Sequence, residues 1–202
     1  MKLIIISGPS GSGKTILSNQ ILKKLKNGII LNTDNYYKTG IKSQILSKII
    51  DCYYDKKISF DFKLFKEDLD FILKNGYSNF SYEYDFKSKS VIKNIKKIND
   101  IKIVIVEGIF STEIIKTLSN NISFLIQLDF SKELCMNRVI NRDFLERGKS
   151  KNNARKDFLK GWELYNKNNY SFDSNNLLKT IVITKKVELN SLTTKINNLV
   201  FK

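Results

Sequence analysis

Apolar side chains follow two rhythms along this chain, and the places where one gives way to the other outline its elements. Leu3, Ile4, Ile5 and Ile6 form an unbroken, largely β-branched run, the pattern of a parallel strand buried on both faces. After Thr15 the apolar positions thin to Leu17, Ile21 and Leu25, spaced as on one helical face, and Gly28 stands where a left-handed helix C-cap is usual. Continuous runs return at Ile29 to Leu31, Ile103 to Val106, Ile122 to Asp129 and Ile181 to Ile183, each predicting a further strand. Between them, Leu64, Phe65, Leu69 and Ile72 define a helical face that ends near Gly76. Ser131 is an N-cap for a helix carrying Leu134, Cys135, Met136, Val139 and Ile140. Asp157 to Tyr165 reads as another helix, whose Phe158, Trp162 and Tyr165 belong to the core. A last helix through Leu192, Ile196 and Leu199 packs on the sheet or on a second subunit of a homo-oligomer. Alternation from Phe80 to Phe86 predicts a strand in a small hairpin with Ser90 to Ile98. The expected fold class is therefore α/β, a parallel sheet flanked by helices with a hairpin subdomain.

Between the first strand and the first helix, Gly8 to Thr15 fits G-x-x-x-x-G-K-[ST]. Glycines at 8, 11 and 13 permit backbone that a Cβ would block, so successive N–H groups can cradle phosphate oxygens. Gly8, Ser10, Gly11, Ser12, Gly13, Lys14 and Thr15 are the candidate nucleotide-binding set, with Lys14 for the β- and γ-phosphates and the Thr15 hydroxyl for Mg²⁺. The runs ending in Asp34 and Glu107 bring carboxylates to the same carboxyl edge of the sheet, where ligands of open α/β folds bind. Asp34 is thus a candidate general base, Mg²⁺ ligand or turn cap, and Glu107 a candidate Mg²⁺ ligand or a solvated strand end.

Composition narrows the chemistry. The 202 residues, 42% of them apolar, suffice for one domain with a sizeable core, and the chain contains no histidine, which excludes Ser-His triads and histidine metal sites. Cys52 and Cys135 are too isolated for a disulfide framework, and the first eight residues lack the form of a signal peptide, so a cytoplasmic protein is expected. The net charge of +15 invites nucleic acid as a partner, but lysines spread through the whole chain describe a solvated surface, and neither nucleic acid nor membrane is expected. Arginine behaves differently: Arg138, Arg142, Arg147 and Arg155 are the only ones and share one short stretch. Bidentate guanidinium retained in a single place suits phosphate recognition, and Glu146 to Ser150 has the polarity and glycine of a flap closing over a nucleotide. The alternative is a helix end with Arg142 paired to Glu146 at i, i+4.

The glycine loop, Thr33-Asp34-Asn35-Tyr36-Tyr37, Phe60-Asp61, Tyr84-Asp85-Phe86-Lys87-Ser88-Lys89-Ser90, Val106-Glu107-Gly108-Ile109 and Arg142-Asp143-Phe144-Leu145-Glu146-Arg147-Gly148, in this order, resemble the uridine/cytidine kinases within the phosphoribulokinase and uridine kinase group. The resemblance spans about residues 1–185 and implies a P-loop NTPase fold as a single domain over 1–202, with a helical lid at about 142–155 and an acceptor-binding insertion at about 53–98. It implies transfer of the ATP γ-phosphoryl group, with Mg²⁺, to the 5′-hydroxyl of a nucleoside-like small molecule. By position Asp34 resembles the catalytic carboxylate, Asp61 the ribose-hydroxyl acceptor, and Tyr84 and Phe86 the base-pocket residues. Arg142 and Arg147 resemble the lid cations that act with Lys14. Lys89 stands where family members commonly have histidine, and lysine donates a hydrogen bond but cannot accept one. The alternatives are a kinase for another sugar, phosphosugar or vitamin alcohol and a P-loop ATPase or GTPase; against a GTPase, Asn166-Lys167-Asn168-Asn169 lacks the aspartate of N-K-x-D.

Overall fold

A computed structural model describes residues 1–86, 88–111, 113–114, 124–168 and 179–184. The expected helix through Leu192, Ile196 and Leu199 and the run's first residues, Ile122 and Ser123, lie outside them. The main sheet contains β1 (Lys2–Ser7), β2 (Gly28–Asn32), β5 (Ile103–Glu107), β6 (Phe124–Leu128) and β7 (Lys179–Ile183), all parallel, in the order β2-β5-β1-β6-β7. An antiparallel pair, β3 (Ser78–Asp85) and β4 (Ser90–Ile98), forms a separate hairpin sheet.

Helices cover both faces, and the strand sequences show why. In β1, Leu3 and Ile5 enter one core and Ile4 and Ile6 the other, each fully buried; Val104 and Val106 of β5 repeat the division against Ile103 and Ile105. Strands buried on both sides have no position for a polar residue, hence the unbroken runs. Each fully buried Ile or Leu contributes roughly 1.5–3 kcal/mol relative to exposure. The first core takes Phe65, Leu69 and Ile72 from α3 (Phe62–Asn75), together with Tyr36, Tyr37 and Tyr84. The second takes Leu17, Ile21 and Leu25 from α1 (Lys14–Leu25), Cys135 and Val139 from α4 (Lys132–Glu146) and Phe158 from α5 (Lys151–Asn168). The short helix α2 (Ile41–Ile49) buries only Ser43. No helix among the described residues is long and apolar enough to cross a membrane.

Two helix ends show their local chemistry plainly. Ser131 Oγ accepts from the Leu134 N–H at the start of α4, and Gly76 closes α3 in the left-handed conformation. Gly28 differs from expectation. The residue with positive φ after α1 is Lys26, at φ 59° and ψ −74°, and Gly28 already belongs to β2, where a Cβ would stand 3.0 Å from the Ile103 carbonyl oxygen and 2.9 Å from Leu22. Close packing of strand and helix, rather than a cap, requires glycine there.

Candidate active site

Parallel register sets the centre of the site. β5 lies between β2 and β1, so Glu107 at its carboxyl end is level with Asn32 and Ile6. The loop after β1 crosses this edge and delivers Thr15, whose Oγ1 donates to Glu107 Oε1 at 2.9 Å. The chain leaving β2 turns immediately: Asn32 Oδ1 accepts the Asp34 N–H at 2.8 Å, so Asn32 caps the turn and Asp34 is left to face the cleft. Gly108 then passes so close to Thr33 that a Cβ would collide with its side chain, at a φ of +134°.

The glycine loop is tightly held. A Cβ on Gly11 would overlap the Cys135 carbonyl and stand 2.9 Å from Val139 Cγ2, so the loop rests directly on α4. From that helix the Arg138 guanidinium donates to the carbonyls of Gly11 and Ser12 at 3.2 and 3.4 Å. Lys14 is buried and folds back, donating to the carbonyls of Gly8 and Pro9 at 2.9 Å each. Burial lowers its pKa, opposed by Glu107 and Asp34. Burial likewise raises that of Glu107, opposed chiefly by Lys14. Ser12 Oγ is buried without a hydrogen-bond partner.

These donors fit Mg²⁺. A hydroxyl and two carboxylates are hard oxygen ligands, and among the described residues no group of three or more Asp, Glu, Cys or His could cage a metal alone. That matches an ion which retains waters and relies on substrate phosphates.

Beyond Asp34 opens a cleft of about 590 Å³ lined by rings and charges. Tyr37 donates to Asp34 Oδ1 at 3.4 Å, and its ring stands edge-on to Tyr54 and Tyr84, at 5.2 and 4.9 Å between centroids. Tyr84 meets Phe86 edge-to-face at 4.9 Å, and Lys89 Nζ lies 5.9 Å from the Tyr54 ring centre. The hairpin is tied in by Asn35, whose Oδ1 accepts the Tyr84 N–H. Tyr84, Phe86 and Lys89 are therefore brought together with Asp34.

Asp61 is not. Its Oδ1 accepts from the Leu64 N–H and caps α3, and it does not line the cleft; Asp55 does. Burial pushes the Asp55 carboxyl up to about 6, helped by the charge of Asp34. Asp55 sits on a short 3₁₀ turn, Tyr53–Asp55, against α5, where a Cβ on Gly161 would lie 3.3 Å from its Oδ2. No periodicity marks that turn; the only signal in the chain was a carboxylate following two aromatics.

α4 and α5 form a helical hairpin over the cleft, turning at Gly148 with φ +66°. Arg142 and Arg147 line the cleft, and Arg155 does not. Arg142 pairs with Asp143, through Nε at 2.9 Å and Nη2 at 2.8 Å, rather than with Glu146. The Arg147 guanidinium stacks on Phe86, Cζ 3.5 Å from the ring centre.

Comparison with known proteins accords with this geometry. Residues 3–171 match the Phosphoribulokinase / Uridine kinase family. The chain is 30% identical to proteins named uridine kinase from Staphylococcus haemolyticus and Staphylococcus aureus, in each case over 99% of this chain and 97% of the relative. Among solved structures it resembles a possible uridine kinase from Bacillus stearothermophilus (TM-score 0.58, 17% identity, 88% of both chains). It also resembles D-glycerate 3-kinase from Cryptococcus neoformans (TM-score 0.65, 12% identity, 91% of this chain and 86% of that one). At those identities the likeness establishes the fold alone, a parallel α/β sheet flanked by helices.

Proposed function

The chain belongs to the phosphoribulokinase/uridine kinase family and is an ATP-dependent phosphotransferase, and we propose that its acceptor is a uridine- or cytidine-like nucleoside, phosphorylated on the 5′-hydroxyl. One observation carries the reading: Asp34 stands where the glycine loop meets a cleft walled by Tyr37, Tyr54, Tyr84 and Phe86. A triphosphate end, a carboxylate and flat apolar walls in that succession suit a base joined to a sugar alcohol.

In this reading the loop amides and Lys14 take the β- and γ-phosphates, Lys14 exchanging its bonds to Gly8 and Pro9 for phosphate oxygens. Thr15, with Glu107 and Asp34 directly or through water, would hold Mg²⁺, which neutralises phosphate charge when bound. Asp34 accepts the proton of the acceptor hydroxyl as its oxygen bonds to the γ-phosphorus and the bond to the β-phosphate oxygen breaks, releasing ADP. Asp55 accepts from the sugar hydroxyls, replacing Asp61 in that role, while Tyr84, Phe86 and Lys89 hold the base. Arg142 and Arg147 screen the transferred group. The partners are then small molecules, with no requirement for nucleic acid.

ADP release from purified protein and MgATP, measured against uridine, cytidine, deoxyribonucleosides, glycerate, sugars, vitamin alcohols and RNA, tests this. Stimulation by uridine or cytidine is expected. Stimulation confined to a non-nucleoside alcohol, or to RNA, would overturn the acceptor assignment.

A further inference from the structure

Three lid cations converge on one side chain. Asp143 is only 3% exposed, yet its carboxylate meets Arg142 at 2.8 Å, Arg147 at 3.4 Å and Lys149 at 3.6 Å. Its backbone carbonyl also accepts the N–H groups of Arg147 and Lys149, at 3.3 and 3.1 Å. The residue thus holds both the charges and the turn that carries them.

We infer that Asp143 is the positioning residue of the lid, holding Arg142 and Arg147 in register for phosphoryl transfer without touching substrate itself. The inference rests on the phosphotransfer reading above. Three cations gathered beside a cleft repel one another, and the charge of Arg142 adds to burial in lowering the pKa of Arg147. A shared buried anion offsets that repulsion where water cannot. The geometry is selective as well. Asp143 takes Nε and Nη2 of Arg142, leaving Nη1 without a part in this contact, and the Arg142 side chain lines the cleft. It meets Arg147 through Nη1, while that guanidinium keeps its face on Phe86 of the acceptor hairpin. Lys149 is shared with Asp157 of α5 at 2.8 Å, which ties the second lid helix to the same point. A guanidinium with one edge fixed and its remainder at the cleft is already ordered when charge develops on the phosphoryl group.

The test is Asp143→Asn, with Asp143→Glu as a variant that keeps the charge and displaces it by one methylene. Each is measured for kcat and KM, alone and in an Arg142→Met, Arg147→Met background. Asp143→Asn should lower kcat by about thirtyfold or more with the KM for ATP within about threefold, because the glycine loop carries ground-state binding. In the double-arginine background the same change should have almost no further effect. A folded Asp143→Asn with kcat within threefold of the parent overturns the inference, as does an equal loss in both backgrounds. If Asp143→Asn does not fold, Asp143→Glu decides by the same criteria, and failure of both to fold would assign Asp143 to the fold alone. A second readout needs no turnover. With four arginines in the chain, selective ¹⁵N labelling should show the Arg142 Nε–H exchanging slowly in the parent and rapidly in Asp143→Asn. Rapid exchange in the parent overturns the inference. Absence of acceptor-dependent turnover in the parent would strike the kinase reading instead, and the exchange measurement would still decide whether Asp143 holds Arg142.

Discussion

Thr15 and Glu107, 92 residues apart in sequence, are joined by a 2.9 Å hydrogen bond across the carboxyl edge of the sheet. The bond sets a hydroxyl and a buried carboxylate side by side at the end of the phosphate loop, and hard oxygen donors of this kind suit Mg²⁺. Glu107→Gln keeps the shape and removes the charge. The Mg²⁺ concentration for half-maximal rate should rise about tenfold, while thermal stability is unchanged or higher because a desolvated carboxylate is lost. A Mg²⁺ titration of ADP release checks this, and an unchanged midpoint would remove Glu107 from the metal site.

Asp34→Asn preserves hydrogen bonding to Tyr37 but can no longer take a proton. Turnover should fall by about a thousandfold with the ATP dissociation constant within about threefold, read by single-turnover kinetics and calorimetry. A kcat close to the parent's would exclude Asp34 as base.

Asp55 gives a pH signature. Its carboxyl titrates at about 6 in the folded protein against an ordinary 3.8, so between those values the folded state binds more protons than the unfolded one. By linkage its contribution to stability falls as pH rises through that window and stays lost above pH 6. Asp55→Asn should therefore raise stability at pH 7–8 by up to about 2 kcal/mol, while the parent and the variant converge near pH 4. In the parent the acceptor KM should rise as pH falls below about 6, where Asp55 protonates and loses acceptor capacity. An acceptor KM flat from pH 8 to 5 contradicts this.

Glycine is required by close approach at one position and by φ alone at another. Gly108→Ala would drive a Cβ into Thr33 and should cost about 2–4 kcal/mol in a denaturant melt. Gly148, at φ +66° with open space around it, should cost only about 1 kcal/mol as alanine. Equal losses would mean that packing at Thr33 is not what constrains the chain after β5.

The parts of this arrangement visible in the chain are those set by local pattern. β5, buried on both faces, and the edge strand β2, which buries Ile29 and Leu31 on one face, both leave unbroken apolar runs, so their ends, and with them Glu107 and Asp34, could be placed from hydrophobicity alone. Asp55 could not, because its burial comes from the approach of α5 at Gly161, more than a hundred residues away. Asp61 attracted attention through the Phe60-Asp61 match, although an aspartate three residues before Leu64 is also the mark of an N-cap, the use the fold makes of it. At Arg142, i, i+4 spacing pointed to Glu146, but the adjacent Asp143 is the buried carboxylate, and burial decides which pairing wins. Gly28 similarly answers to the Ile103 carbonyl on a neighbouring strand rather than to the helix before it.

The central claim is that Asp34 and the glycine loop align a nucleoside 5′-hydroxyl for attack on the γ-phosphorus. Incubating the protein with MgATP and either uridine or 5′-deoxyuridine, and identifying the nucleotide product by ³¹P NMR, tests it most directly. Uridine should give the 5′-monophosphate with one ADP formed per product, and 5′-deoxyuridine should give none while inhibiting the reaction of uridine. Phosphorylation of 5′-deoxyuridine, or no phosphorylated product from uridine, would contradict the claim.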